Sequence, residues 1–133
     1  MTALSNRVYL YSFEFFNPRS FGILSLRMPF RAATHCTELT YLFGVSLLFG
    51  FRFTEADKRM IDVMTRMWTN FAKYGNPNGP YEDSTVFDFK WEPATSQQCG
   101  SHLVINEKCE MRTSYEEQRA EFWRNIRITS KSG

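Results

Sequence analysis

Two residues in the first third of the chain carry functional groups that could serve catalysis. His35 and Glu38 stand three residues apart in the segment THCTELTYLFG, just before an apolar run. An imidazole works as a general base when one ring nitrogen takes a proton from a nucleophile and the other is held by a carboxylate. The neighbouring sequence supplies no nucleophile. These residues alone therefore favour a structural histidine.

The cysteines are the other candidates for chemistry. Cys36, Cys99 and Cys109 form an odd set at irregular spacing, which is neither a disulfide framework nor a zinc pattern. Cys99 and Cys109 flank a predicted strand and could pair in an oxidising compartment, but three free thiols are favoured. The sequence predicts no metal site and no cofactor.

Composition limits the classes of protein that the chain can be. Its 133 residues have the size of one domain, and 43% hydrophobic residues are enough for a core. The 16 basic and 14 acidic residues are spread along the chain, so no nucleic-acid footprint is expected. The longest apolar-rich window, Tyr41 to Phe53, is shorter than the roughly 20 residues that span a bilayer, so no transmembrane segment is predicted.

The strands that would position His35 are few. Val8 to Phe13 (VYLYSF) is continuously β-branched and aromatic, which is typical of a strand buried on both faces in a parallel sheet. The second convincing strand is His102 to Ile105 (HLVI). Because a sheet of two strands is marginal, the pattern indicates that partner strands lie outside this chain.

The segments beside His35 are predicted to be a loop and a short helix. Asn17 to Ala33 contains several turn formers and is predicted to be a loop that leads to the histidine. Thr37 can cap a short helix through Phe43, which Gly44 would end.

A longer helix begins at Thr54, where Thr54 to Asp57 resembles a capping box, and Gly75 ends it. Its apolar stripe predicts burial between neighbours; the stripe comprises Ile61, Met64, Trp68, Phe71 and Ala72, widened by Met60, Val63 and Met67. Residues 76–101 are predicted to be a loop. A second capping box at Ser114 to Glu117 predicts a helix that turns Tyr115, Arg119, Phe122, Trp123 and Ile126 towards a partner.

Several of these segments, in this order, resemble the C-terminal part of the type-B carboxylesterases, the family that includes the cholinesterases. The resemblance covers roughly Val8 to Asn125, and it is carried by VYLYSF, THCTELTYLFG, FTEADKRMIDVMTRMWTNFAKYGNPNGP, Trp91, HLVIN and AEFW. It implies an α/β fold, namely a C-terminal fragment of an α/β-hydrolase fold with late sheet strands and packing helices. It also implies a Ser-His-Glu triad whose histidine follows a late strand.

The resemblance changes the interpretation of the two candidate residues. His35 matches the catalytic histidine of the family. Glu38 matches a glutamate beside the site that is not the triad acid; it would tie the helix after the histidine to polar groups near the site. The alternative for Glu38 is an exposed first-turn glutamate stabilised by the helix dipole. His102 matches a position without a catalytic role and is expected to be structural or at the surface.

Three positions depart from the family pattern. Cys36 stands where most members have glycine directly after the histidine, and Ala32 stands where many have glycine three residues before it. Ala120 replaces a cysteine that many members carry near the terminal Phe-Trp, so the family's C-terminal disulfide is not inferred.

The nucleophile motif of the family does not occur in this sequence. No G-x-S-x-G stretch is present, so nucleophile and acid would lie upstream of Met1. We therefore expect residues 1–133 to be the C-terminal portion of a type-B carboxylesterase domain that supplies the triad histidine as general base and is inactive alone. Its partners would be the missing N-terminal part of the domain and, in the complete protein, a small-molecule carboxylic ester.

Two alternatives remain open at this point. The parent could be a non-catalytic, cholinesterase-like adhesion or binding protein, or the chain could be an independent interaction module. In isolation the chain is expected to be poorly folded or self-associating, because a buried strand and an apolar helix would lack neighbours. The compartment is not set by these residues; a secreted or membrane-associated extracellular location follows only if a signal peptide lies upstream.

Overall fold

The computed structural model describes residues 7–27, 31–45 and 52–115, and the chain has a mixed α/β architecture there. The elements, in order, are β1 (Tyr11–Phe13), a 3₁₀ helix (Pro18–Arg27), α1 (Thr37–Phe43), α2 (Glu55–Tyr74), β2 (His102–Ile105) and β3 (Glu110–Arg112). No helix among these residues is long and apolar enough to cross a membrane. The prediction of an α/β chain is confirmed.

The described strands form one sheet in the order β1-β2-β3. β1 runs parallel to β2 with Tyr11 opposite Leu103 and Phe13 opposite Ile105, while β3 pairs antiparallel to β2. The parallel pairing and the bounds of β2 are confirmed, and all residues of β2 are buried.

The prediction for β1 was wrong in length and in burial. The ladder covers Tyr11–Phe13 only, and these residues are half-buried rather than buried on both faces. Val8 is 52% exposed and forms an isolated bridge with Ala94. Burial is incomplete because, within the described residues, β1 has a neighbouring strand on one edge only.

The helix after His35 ends as predicted but begins differently. Gly44 closes α1 in the left-handed conformation, with φ 63°. Thr37 is the first helical residue and not the cap; the N-cap is Cys36, which makes no side-chain capping bond. The Thr37 hydroxyl instead accepts a hydrogen bond from the Thr34 amide at 2.9 Å, so it stabilises the turn around His35.

α2 has the predicted ends and a rotated buried face. The capping box between Thr54 and Asp57 is present, and Gly75 adopts the left-handed stop. The methionines at 60, 64 and 67 are the buried line, whereas Phe71 is 48% exposed and Ala72 is also exposed. The buried face therefore follows the methionines rather than the full predicted stripe, because α1 and the sheet pack on that side.

Two of the observed elements were not predicted from the sequence, and one predicted helix lies largely outside the described residues. The predicted loop from Asn17 to Ala33 contains the 3₁₀ helix Pro18–Arg27, and Glu110–Arg112 is a strand. The helix predicted after Ser114, with Arg119, Ala120, Phe122, Trp123 and Ile126, begins in a region beyond residue 115 that the structure does not describe.

The long connection between α2 and β2 contributes a polar anchor to the core. Trp91 is buried against Tyr9, Tyr11 and Trp68, with ring centroids 5.7–5.9 Å away. The Asn78 side chain brackets its backbone: Oδ1 accepts from the Trp91 amide at 2.7 Å, and Nδ2 donates to the Trp91 carbonyl at 2.9 Å. A segment without regular structure is thereby fixed to the core.

Candidate functional site

His35 lies in a tight turn directly before α1. The Thr37 amide donates to the Thr34 carbonyl at 3.1 Å, and the Leu39 amide donates to the Cys36 carbonyl at 3.2 Å. The imidazole is exposed, and within the described ranges no hydrogen bond or ion pair engages it. The backbone of this turn is thus fixed by local bonds, while both ring nitrogens remain available to other groups.

Cys36 adopts a backbone conformation that normally favours glycine. Its φ is 66° and its ψ is 8°, the left-handed region in which a Cβ costs free energy. This geometry explains in physical terms why a glycine would suit the position after the histidine. The thiol is half-buried, and Cys36, Cys99 and Cys109 are all free, which agrees with the favoured interpretation of the cysteines.

Glu38 lies in the first turn of α1 and is half-buried. Burial raises the pKa of the Tyr11 phenol, and the charge of Glu38 raises it further. No hydrogen bond joins Glu38 to His35 in the described part of the chain. Glu38 is thus less exposed than a purely solvated first-turn glutamate.

His102 is a structural residue, as expected. Its side chain is 3% exposed, and Nδ1 lies 2.9 Å from the Gly100 carbonyl oxygen. The ring packs edge-on against Tyr115 at 4.9 Å between centroids. Among the described residues, no group of three or more His, Cys, Asp or Glu side chains could hold a metal ion.

A buried carboxylate at the start of α2, bonded to α1 through Tyr41, was missed by sequence reasoning. Asp57 is fully buried, and its carboxylate accepts hydrogen bonds from Asn17, Ser20, Tyr41 and Thr54. The capping box predicted only the contact with Thr54, because that contact is local. The other donors lie 16 or more positions away, and no sequence pattern pairs them with Asp57.

A larger solved protein has a fold similar to that of this chain. The structure of a PNB esterase matches with a TM-score of 0.63 and 20% sequence identity, covering 86% of this chain and 21% of that chain. At this identity the likeness defines the fold alone. The strands and helices described above are accordingly a fragment of an α/β-hydrolase fold, as expected from the sequence.

The sequence defines the family. Residues 1–123 match the model of the Carboxylesterase family. The chain therefore belongs to the carboxylesterase family, which confirms the resemblance seen in its motifs.

Relatives of two kinds share this segment. Esterase cest-33 of Caenorhabditis elegans is 43% identical over 122 residues, which are 91% of this chain and 21% of that protein. Neuroligin-2 of Homo sapiens is 32% identical over 105 residues, which are 68% of this chain and 12% of that protein. The chain therefore spans about a fifth or less of the length of these relatives.

Proposed function

We propose that this chain is the C-terminal segment of a serine-dependent carboxylic ester hydrolase, in which His35 is the general base of the triad. The observation that carries the proposal is the His35 turn: its backbone is fixed by local hydrogen bonds directly before α1, and its imidazole is exposed. A base needs this combination, because it must be held in place and yet leave both ring nitrogens to partners. The 43% identity to an esterase supports the same function.

In the complete protein the reaction would proceed in two steps, acylation of the serine and hydrolysis of the acyl-enzyme. His35 would take the hydroxyl proton of an upstream serine as that oxygen attacks the ester carbonyl, and it would give this proton to the departing alcohol. Water would then attack the acyl-enzyme with His35 again as base, which releases the acid and the free serine. Glu38 is not the triad acid in this scheme; it steadies the first turn of α1 against β1.

The nucleophile must come from outside this chain, because the sequence contains no G-x-S-x-G motif. A triad acts as a unit, so a base without its serine leaves little catalysis. We accordingly expect the 133-residue chain to be inactive alone and to need the N-terminal part of the domain. Large apolar side chains on the described surface, such as Leu26 at 77% and Phe43 at 67% exposure, support contacts with such a part.

A second candidate function is a segment of a cholinesterase-like adhesion or binding protein. The 32% identity to neuroligin-2, whose name describes no esterase, favours keeping this alternative. His35 does not separate the two candidates, because a binding protein can retain the histidine. The residue at the upstream nucleophile position does separate them.

The native size and the reactivity of the protein test the proposal together. An antibody against residues 81–109, a segment with exposed stretches, would be used for immunoblotting and precipitation from the source tissue. The precipitate would be treated with a fluorophosphonate probe, which labels activated serines, and assayed with 4-nitrophenyl butyrate. We expect a band several times larger than 15.7 kDa that carries the label and hydrolyses the ester.

The other outcomes are equally decisive. A large band without label or hydrolysis would contradict the hydrolase proposal and support the binding protein. A band at 15.7 kDa would show that the short chain exists by itself, and would support an interaction module instead.

A further inference from the structure

The search for unassigned groups leads to Asp57, the buried carboxylate at the first turn of α2. We propose that Asp57 is a positioning residue for His35, because it ties both ends of the segment that carries the histidine to the rigid start of α2. The inference rests on the proposed function for its catalytic consequence. Its structural content, that Asp57 anchors the His35 turn, can be tested without any activity.

The upstream end of the segment is bound through two polar side chains. Asn17 Nδ2 donates to Asp57 Oδ2 at 3.0 Å, and Ser20 Oγ donates to the same oxygen. Asn17 Nδ2 also lies 2.7 Å from the Thr54 hydroxyl oxygen, which itself donates to Asp57 at 2.8 Å. Asn17 is 9% exposed and Ser20 is fully buried, so water competes little for these bonds.

The downstream end is bound through α1. The Tyr41 hydroxyl donates to Asp57 Oδ1 at 3.1 Å, and its ring is 1% exposed. Phe15 packs edge-on against this ring at 5.3 Å between centroids, and Phe13 lies at 5.6 Å. Because α1 starts two residues after His35, a fixed Tyr41 limits how far the histidine turn can move.

The charge state of Asp57 suits an anchor. Burial by itself would raise the pKa of this carboxyl, but the hydrogen bonds from Ser20, Thr54 and Asn17 outweigh it and lower the pKa. Asp57 is therefore an anion at neutral pH, and hydrogen bonds to charged groups are the stronger kind. Burial, followed by the Asp57 charge, raises the pKa of Tyr41, so the phenol keeps the proton that it donates.

His35 depends on such an anchor because its own side chain is not held. Within the described ranges no polar contact fixes the imidazole, so the backbone on either side sets its position. A displacement of about 1 Å at a catalytic group can cost on the order of 100-fold in rate. Contacts that restrain α1, which follows the turn directly, therefore bear on how well the base meets its serine.

The test uses single hydroxyl deletions in the full-length protein that contains this segment. Tyr41→Phe removes the downstream bond and keeps the ring packing, and Ser20→Ala removes an upstream bond. The control is Thr65→Val, because the Thr65 hydroxyl bonds within α2 to the Ile61 carbonyl at 2.7 Å and does not reach Asp57. Asp57→Asn is a further variant that removes the charge. All variants would be studied at a temperature at which circular dichroism shows them fully folded.

Two readouts are compared. Amide hydrogen exchange over residues 34–43 reports the mobility of the turn and of α1, and we expect it to become about 10-fold faster in Tyr41→Phe and Ser20→Ala. The kcat for 4-nitrophenyl butyrate should fall about 10-fold to 100-fold with KM nearly unchanged. Thr65→Val should change neither quantity.

Each outcome decides. Unchanged exchange in both hydroxyl variants would overturn the inference, whatever the activity. Faster exchange with an unchanged kcat would overturn it too, because the anchor would then not matter to the base. If the wild-type protein has no esterase activity, the proposed function has failed; faster exchange would still support Asp57 as the anchor of the turn, and unchanged exchange would remove that as well.

Discussion

The Asp57 cluster and the His35 turn are two polar regions in opposite environments. Asp57 is fully buried, and four residues from three parts of the chain donate to it. His35 is exposed, and in the described ranges its ring has no polar partner. The chain thus gives hydrogen-bond donors to the Asp57 carboxylate, which stabilises the structure. It leaves the His35 imidazole, which is capable of acid-base chemistry, without a polar partner in the described ranges. A segment that contributes one member to a larger catalytic site is expected to have this division.

The largest expected effect concerns the exposed region of this comparison, the His35 turn. Replacement of His35 by alanine in the full-length protein should lower kcat about 10³-fold to 10⁴-fold, because the serine loses its proton acceptor. Steady-state hydrolysis of 4-nitrophenyl butyrate measures this, with fluorophosphonate labelling as a second readout. The matched control is Lys58→Ala, an exposed position on α2 that should retain activity. Retained activity in the His35 variant would remove this residue from the mechanism.

Asp57→Asn tests the buried region, in which the carboxylate is fully hydrogen-bonded. At pH 7 this variant should lose about 3 kcal/mol of unfolding free energy, because an amide nitrogen would face donors that now bond to a carboxylate. Because the pKa of Asp57 is lowered in the folded state, the unfolded state binds the proton more tightly. The stabilisation by the charge is complete above the ordinary aspartate pKa of about 3.9, and it is lost as the pH falls through the lower folded value.

Urea denaturation of the full-length protein, in which the stability variants below are also made, measures this difference between pH 3 and pH 7. The wild type should lose stability below about pH 4, and the gap between wild type and Asp57→Asn should narrow there. A gap of constant size over the whole range would show that the charge of Asp57 contributes nothing.

Asn78→Ala tests a second buried and hydrogen-bonded region, the contact between Asn78 and Trp91. The substitution leaves the buried backbone amide and carbonyl of Trp91 without their partners, so we expect a loss of about 2 kcal/mol. Asn106→Ala is the control, because among the described residues the Asn106 side chain bonds only to the next amide, at 2.8 Å, and is half-buried. Urea midpoints for the two variants should differ clearly; equal midpoints would contradict the importance of the bracket around Trp91.

Cys36→Gly has the smallest expected effect and lies at the border of the two regions. Glycine removes the left-handed penalty at φ 66° but adds freedom to the unfolded chain, so the net gain should be about 0.5–1 kcal/mol. Cys99→Gly is the control, because Cys99 does not have a positive φ and should gain nothing. Thermal denaturation of both variants measures the difference, and a lower Tm for Cys36→Gly would contradict the strain argument.

The features that could be predicted from the sequence are mainly those with local causes. The ends of α2 at Thr54 and Gly75 follow from a capping box and a left-handed stop, which involve neighbours in sequence. The strand β2 could be predicted from the largely apolar run His102–Ile105. By contrast, Glu110–Arg112 is a strand because it pairs with β2. Its own residues have no strand preference from which this could be predicted.

The candidate site divides in the same way. The position of His35 before a short helix could be predicted from its motif, and Gly44 marks the end of that helix. The donors Asn17 and Tyr41 could not be assigned to Asp57, because these residues meet only after the chain has folded. The role of His35 stays a prediction, because it depends on a nucleophile that this sequence does not contain.

The parallel pairing of Tyr11 with Leu103 also has a consequence for synthesis on the ribosome. Within this segment β1 is translated first, and its partner strand follows almost the whole described length later. At a translation rate of 5–20 residues per second, β1 waits on the order of 5–20 s for β2. Throughout that interval the edge of β1 that pairs with β2 has open backbone groups in the nascent chain. Chaperones that bind extended apolar segments are therefore expected to meet this part of the protein before its own sheet does.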